Sequence, residues 1–225
     1  MLSELIGFLR GDVEFIELFL LLAATSFVVF CATPLHEFAH AFVAVKLGDN
    51  TPRNRGRLTV NPLAHIDPIG AAMIFLFGFG YAKPVEVRMR HFKNPKRDMA
   101  IVAIAGPLCN LLQGFIFMFF SNALIALAVS TSNLLFVNLS KFFYFATIIN
   151  VNLAVFNLIP IPPLDGSRLL TALLPAKYYY GLMKYERYIM IGLFVLLFTG
   201  VLTTPLSRIS GYILVFFDSI TSLPF

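Results

Sequence analysis

Long stretches without a single charge govern what this chain can fold into. No Asp, Glu, Lys or Arg occurs from Met99 to Ser140, from Phe142 to Leu164, or from Tyr188 to Ser207. Between Glu17 and Glu37 the only polar residues are Thr25, Ser26, Thr33 and His36. A helix of about 20 apolar residues crosses the hydrocarbon core of a bilayer, and each run has about that length or more. Charged residues make up 13% of the chain, roughly half the share of about 25% found in soluble domains. The expected fold is an all-α polytopic membrane protein of about four to six transmembrane helices. With no repeat and no low-complexity segment, residues 1–225 read as one integral-membrane domain. The first run is too long for a cleaved signal and follows net acidic residues, so it is expected to stay as a span.

Charge placement sets the expected orientation. Lys46, Arg53, Arg55 and Arg57 follow the first run. Lys83, Arg88, Arg90, Lys93, Lys96 and Arg97 precede the second, and Arg168, Lys177, Lys184 and Arg187 follow Asp165. These groups hold 14 of the 17 basic residues. Short basic loops remain cytoplasmic, which puts the N-terminus outside and the descending first helix ending inside. The clusters abut membrane runs, and no nucleic-acid partner is expected. The Met99 run rises to a turn near Ser130–Asn133, the Phe142 run descends to Asp165, and the Tyr188 run rises again. The 14 residues from Ile69 to Ala82 lie between two basic loops and suit a re-entrant segment. Residues 56–60 and 83–89 alternate in a strand-like way. They are expected to form a small β-sheet at the cytoplasmic rim, whose edge takes an unwound peptide as an added strand.

Within this setting, "TPLHEFAHAF" (33–42) is costly. An ionisable side chain inside a membrane is rare and marks function. On a helix His36 and His40 share a face and reach one ion, with Glu37 beside a metal-bound water. This is the HExxH arrangement, in which zinc lowers the pKa of water and the glutamate accepts its proton. The bland alternative is a histidine pair bonding neighbouring helices. A catalytic zinc has three protein ligands and one open position. Between Asp98 and Glu186 the only acid is Asp165, in "NLIPIPPLDG" (157–166). Charge topology brings it to the cytoplasmic side together with HEFAH. An aspartate opening a polar loop is the other reading.

The pair HEFAH and Asn157-x-x-Pro160-x-x-x-Leu164-Asp165-Gly166 resembles the site-2 protease family of intramembrane zinc metalloproteases, in a compact form without PDZ or CBS domains. The intervening "AGPLCN" (105–110) and "GFGYAKPV" (78–85) extend the likeness. The resemblance implies one Zn2+ per chain held by His36, His40 and Asp165, with Glu37 as general base. It also implies hydrolysis of a peptide bond within or near the membrane segment of a single-span substrate. The alternative is an inactive relative that only binds membrane helices. A prenyl-protein protease needs a downstream glutamate ligand, and residues 87–185 contain none; a metal transporter needs several dispersed clusters. Asn157 and Asn110 are candidates for binding the oxyanion or the substrate backbone, against ordinary interhelical bonding. Pro34, just before His36, and Pro160, Pro162 and Pro163 are expected to distort their helices near the site. His65 and His91 read as loop residues, and Cys31 and Cys109 as small buried thiols. The expected location is the cell membrane, with the active site towards the cytoplasm.

Overall fold

The computed structural model describes residues 2–77, 82–174 and 181–224. The described elements of regular structure are all helices, and the described residues contain no strand. A short helix α1 (Leu2–Arg10) leads into α2 (Phe15–Phe27). A single π-helical turn (Val28–Ala32) joins α2 to α3 (Thr33–Lys46), giving one continuous 32-residue rod. The wide turn has a local cause. Pro34 has no N–H, and its ring crowds the carbonyl four residues earlier. The helix responds by opening a turn, and Thr33 N–H bonds Val28 O, five residues back.

Among the described residues three helices are long and apolar enough to cross a membrane: the Phe15–Lys46 rod, α5 (Pro95–Thr131) and α6 (Leu134–Asn157). Between the rod and α5 lie single helical turns at Thr51–Asn54 and Pro62–His65, and α4 (Pro68–Phe77). At 10 residues α4 is about 15 Å long, half the core thickness. The rest of the glycine-rich stretch, residues 78–81, lies outside the described residues. The turn expected near Ser130–Asn133 forms there. Ser132 adopts a left-handed conformation, and Asn133 caps α6 by accepting from Leu135 N–H at 2.9 Å.

After α6 the chain forms α7 (Asp165–Leu173), α8 (Glu186–Phe198) and α9 (Thr203–Thr221). The charge-free run from Tyr188 to Ser207 is therefore divided near Gly200 between α8 and α9. At 13 residues α8 is about 20 Å long. Helix α9 lies against α5 and α6, where Phe217 joins Met118, Val151 and Val155 in one core.

The two ends of the bundle fix helix direction. Lys141 Nζ and Glu17 Oε1 pair at 2.7 Å near the starts of α6 and α2. His36 and Asp165 meet near the other end. The rod and α6 therefore run parallel, and α5 runs against them. Lipid is as apolar as leucine, so packing between membrane helices depends on small residues that let backbones approach. Ala24, Val28 and Ala32 of the rod meet Ala146 of α6, all of them fully buried. Polar pairs add to this. Ser121 Oγ donates to Ser140 O at 3.0 Å and Ser140 Oγ to Ser121 O at 2.9 Å, a reciprocal clamp between α5 and α6.

The small rim sheet expected from alternation does not form among the described residues. Residues 57–60 and 82–88 carry neither strand nor helix. Alternation at 83–89 has another origin, since Val85 is buried, Val87 packs on the Phe92–Met99 cluster, and Glu86 points to solvent. One-sided burial gives a period of two without any partner strand.

Replacing Ser121 and Ser140 by Ala, singly and together, should show a coupling of about 0.6 kcal/mol and not more than about 1.7. A double-mutant cycle from unfolding in mixed micelles measures it, and strict additivity would remove the clamp from the account.

Candidate metal centre

The first two turns of α3 place His36, Glu37 and His40 on the inner side of the rod, all buried. Their spacing puts the two imidazoles edge to face, with Nε2 atoms 3.1 Å apart. Asp165 Oδ2 lies 3.1 Å from each Nε2, so the three atoms form a nearly equilateral triangle. His40 Nδ1 lies 2.7 Å from Val102 O of α5. A carbonyl only accepts, so this nitrogen carries the proton and Nε2 of the neutral ring presents a lone pair. In a neutral ring that lone pair faces a carboxylate oxygen at hydrogen-bond distance.

A cation between the three atoms removes the conflict. Ligand atoms about 2.0–2.1 Å from zinc at tetrahedral angles are separated by roughly 3.3 Å, close to the spacing found. Gly106 of α5 supplies the space. A Cβ at this position would lie 2.6 Å from His36 Nε2 and closer still to His40 Nε2, so a side chain here would occupy the space between the two rings. The donor set and the cradle both fit a zinc ion bound by three side chains. Of the described His, Cys, Asp and Glu residues, these three form the one cluster of that kind.

Asp165 owes its place to the break after α6. Pro160, Pro162 and Pro163 stop helix propagation beyond Asn157. Tight turns then carry the chain, with Ile161 N–H on Ile159 O and Leu164 N–H on Ile161 O. A Cβ on Gly166 would strike the Leu158 and Ile159 carbonyls, so the returning chain packs against the helix end as only glycine allows. Asp165 opens α7, where the helix dipole favours a negative charge.

The triangle forms one wall of a cavity of about 400 Å³. Glu37, Asn110, Asn157, Arg168 and Glu186 also line it, and Ala82, Pro84 and Val85 face it from the loop before α5. The structure therefore brings together all six residues singled out in the sequence. Asn110 is buried, and its Oδ1 has no partner among the described residues. His65 and His91 stay apart: His65 Nε2 bonds Thr59 O at 2.8 Å, and His91 pairs with Asp49. The thiols lie outside the centre. Cys31 is exposed on the rod rather than buried, because its side of the helix faces outward, and Cys109 contacts Leu35 O.

Sequence reasoning missed Asp49. Its carboxylate, fully buried, accepts from Thr51 N–H at 3.0 Å, Thr51 Oγ1 at 2.5 Å, His91 Nδ1 at 2.7 Å and Arg88 N–H at 2.7 Å. It thereby ties the cavity-lining loop to the end of the rod. Burial raises the pKa of this carboxyl, but the bond from Arg88 N–H and those from Thr51 and His91 outweigh it, leaving the group below the ordinary value. Nothing in a lone aspartate after "KLG" distinguishes it from a solvated loop acid.

Two outcomes follow. Gly106→Ala should abolish zinc binding, whereas Cys109→Ala should leave it intact, as read by metal analysis of purified protein. The depressed Asp49 pKa means that its anchoring is complete above about pH 3.9 and is lost as pH falls through the lower folded-state value. Asp49→Asn should therefore speed hydrogen exchange over 83–91 at neutral pH, which the wild type should show only in acid.

A sequence description of peptidase family M50 matches residues 122–200, the part that includes Asp165. The chain is 40% identical over 165 residues to a Bacillus subtilis protein provisionally named zinc metalloprotease YwhC, covering 73% of this chain and 75% of that one. It is 32% identical over 160 residues to the provisionally named zinc metalloprotease Rip2 of Mycolicibacterium smegmatis, covering 68% and 57%. A zinc metalloprotease of Methanocaldococcus jannaschii is 28% identical over 153 residues, covering 68% of this chain and 35% of that one. No solved structure matches the chain. Identity of 40% across three quarters of a relative, together with the family match around Asp165, establishes that the chain belongs to peptidase family M50, the site-2 protease family.

Proposed function

We propose that this protein is a zinc metalloendopeptidase that cuts a peptide bond within or near a transmembrane segment of a single-span membrane protein. The observation that carries the reading is the triangle of His36, His40 and Asp165 donors around the space left by Gly106. In this reading these three residues hold the ion. When bound, zinc supplies Lewis acidity, polarising a scissile carbonyl and acidifying water. Glu37 takes a proton from that water and returns it to the leaving amine. Val102 O holds His40 in the tautomer whose Nε2 is free to bind. Asn157 and Asn110 line the same cavity and serve as contacts for the substrate backbone or the developing oxyanion. For Asn110 the unpartnered Oδ1 favours accepting a substrate N–H.

The basic loops favour an N-terminus outside the cell membrane and a site towards the cytoplasm. Parallel packing of the rod and α6 supports this, because both helices then deliver their ligands to one side. In this topology the re-entrant segment 69–82, whose described helix is α4, dips in from the cytoplasmic side, and the α8–α9 pair adds to the three long spans. The residues 1–225 act as one membrane domain. Loop 82–88, held by Asp49 at the cavity edge, presents backbone to an unwound substrate.

Zinc content should be one per chain in the purified wild type and should fall in both His40→Ala and Asp165→Ala. Zinc unaffected by Asp165→Ala would break the ligand assignment. Glu37→Gln should retain zinc while losing about 10²–10⁴-fold in hydrolysis. Hydrolysis undiminished in that variant would take the proton-transfer role away from Glu37.

A further inference from the structure

A second cavity, of about 530 Å³, lies between the rod and α6 on the side towards Glu17 and Lys141. On α6 its wall is Phe145, Ile148, Ile149 and Asn152, one stripe at helical spacing. On the rod it includes Glu17, Leu21 and Thr25. The metal-centre cavity continues along the same two helices, from Leu153 to Asn157 on α6 and from Thr33 to His40 on the rod. Ile74 of α4 lines both cavities. They are successive parts of one groove. From Glu17 to His40 the rod rises about 35 Å, enough to cross a hydrocarbon core of about 30 Å.

Asn152 is out of place in that groove. Asn150, two residues earlier, is buried and donates to Ala146 O at 2.9 Å, and Asn157 faces the metal centre. Asn152 is exposed and makes no hydrogen bond among the described residues. It lies about 7.5 Å in from the Asn157 end of α6, with apolar neighbours on its own helix. The other polar groups of the wall are engaged, Thr25 Oγ1 by Leu21 O and Glu17 by Lys141. A polar side chain at membrane depth is costly and marks function. An acyl chain covers only half a bilayer, about 15 Å, and gives the amide nothing to bond. A transmembrane helix fills the whole groove, bonds the amide, and delivers a peptide bond to the metal centre at its end.

Resting on the zinc-peptidase reading, we propose that the intramembrane part of the substrate lies as a helix in this second cavity and that Asn152 reads it. The amide, donor and acceptor at once, pairs with a Ser, Thr or Asn side chain that the substrate carries at the same depth. Asn152 is thereby a specificity-determining residue, about one and a half helical turns from the site of cleavage.

The test uses full-length protein carrying Glu37→Gln in phosphatidylcholine nanodiscs, with zinc content measured for every variant. The probe is a fluorescent single-span peptide of alternating Leu and Ala, about 20 residues between lysine flanks. It has Ser one and a half turns in from each end, and its control has Ala there. The Ser peptide should bind about 3- to 20-fold more tightly, the range of polar pairs between membrane helices. Asn152→Leu should abolish the preference by weakening the Ser peptide alone. Ile148→Trp, which fills the cavity, should weaken both peptides. A diazirine beside the serine should label residues 145–152. Equal binding of the two peptides, a preference that survives Asn152→Leu, no effect of Ile148→Trp, or labelling away from the cavity overturns the proposal. So does labelling of the cavity by a diazirine phosphatidylcholine that the Ser peptide does not displace, which makes it a lipid site. With Glu37 restored, the Ser peptide should be cut. Asn152-dependent binding to a wild type that holds no zinc and cuts nothing fails the zinc-peptidase reading and leaves the groove standing, so the two failures are distinct.

Discussion

Three electron-pair donors at 3.1 Å from one another repel unless positive charge lies between them, and much of this structure serves to hold them there. Inside a membrane protein that repulsion is poorly screened, so the arrangement needs rigid supports on every side. The π turn and Pro34 orient the two imidazoles, and Val102 O fixes one ring's tautomer. The proline-rich break after α6 turns Asp165 back towards them. Gly106 keeps α5 from filling the space that the ion needs. Each support comes from a different segment, so the centre and the bundle depend on each other.

The helical packing outside the site follows a different logic. The rod, α5 and α6 meet through alanines and serines, with phenylalanines filling the space around them. Polar clamps such as the Ser121–Ser140 pair act where hydrocarbon offers no competing water. Rigid packing of this kind suits a scaffold whose ligands come from residues far apart in sequence.

Much of the site was legible because charge is so scarce. In a chain with one acid between Asp98 and Glu186, Asp165 had no rival as a partner for HEFAH. The proline effects were legible too, since the missing N–H of Pro34 acts locally whatever surrounds it. Gly106, Val102 and Asp49 were not legible. A glycine's role depends on what approaches it, a backbone carbonyl carries no side-chain signal, and the Asp49 network joins residues about 40 positions apart. The length of a charge-free run also overstated helix length, because the Tyr188–Ser207 run contains a break that hydropathy does not register. The strand-like alternation at 83–89 misled for a related reason. It recorded a loop with one buried face, and among the described residues there is no partner strand to make it a sheet.

The π turn has a consequence for how the rod is read along its length. An α-helix advances about 100° per residue, and a single π turn accommodates one residue more than the same stretch of α-helix. The lower half of the rod is therefore out of phase with the upper half by one position. Twelve residues separate Ala24 from His36, which in an unbroken α-helix would turn the second about 120° from the first. The residue absorbed by the π turn takes back about 100° of that. The widened turn therefore acts as a phase corrector, keeping the face that packs on Ala146 and the face that carries His36 and His40 close to one line, so that both look towards α6 and the cavity beside it.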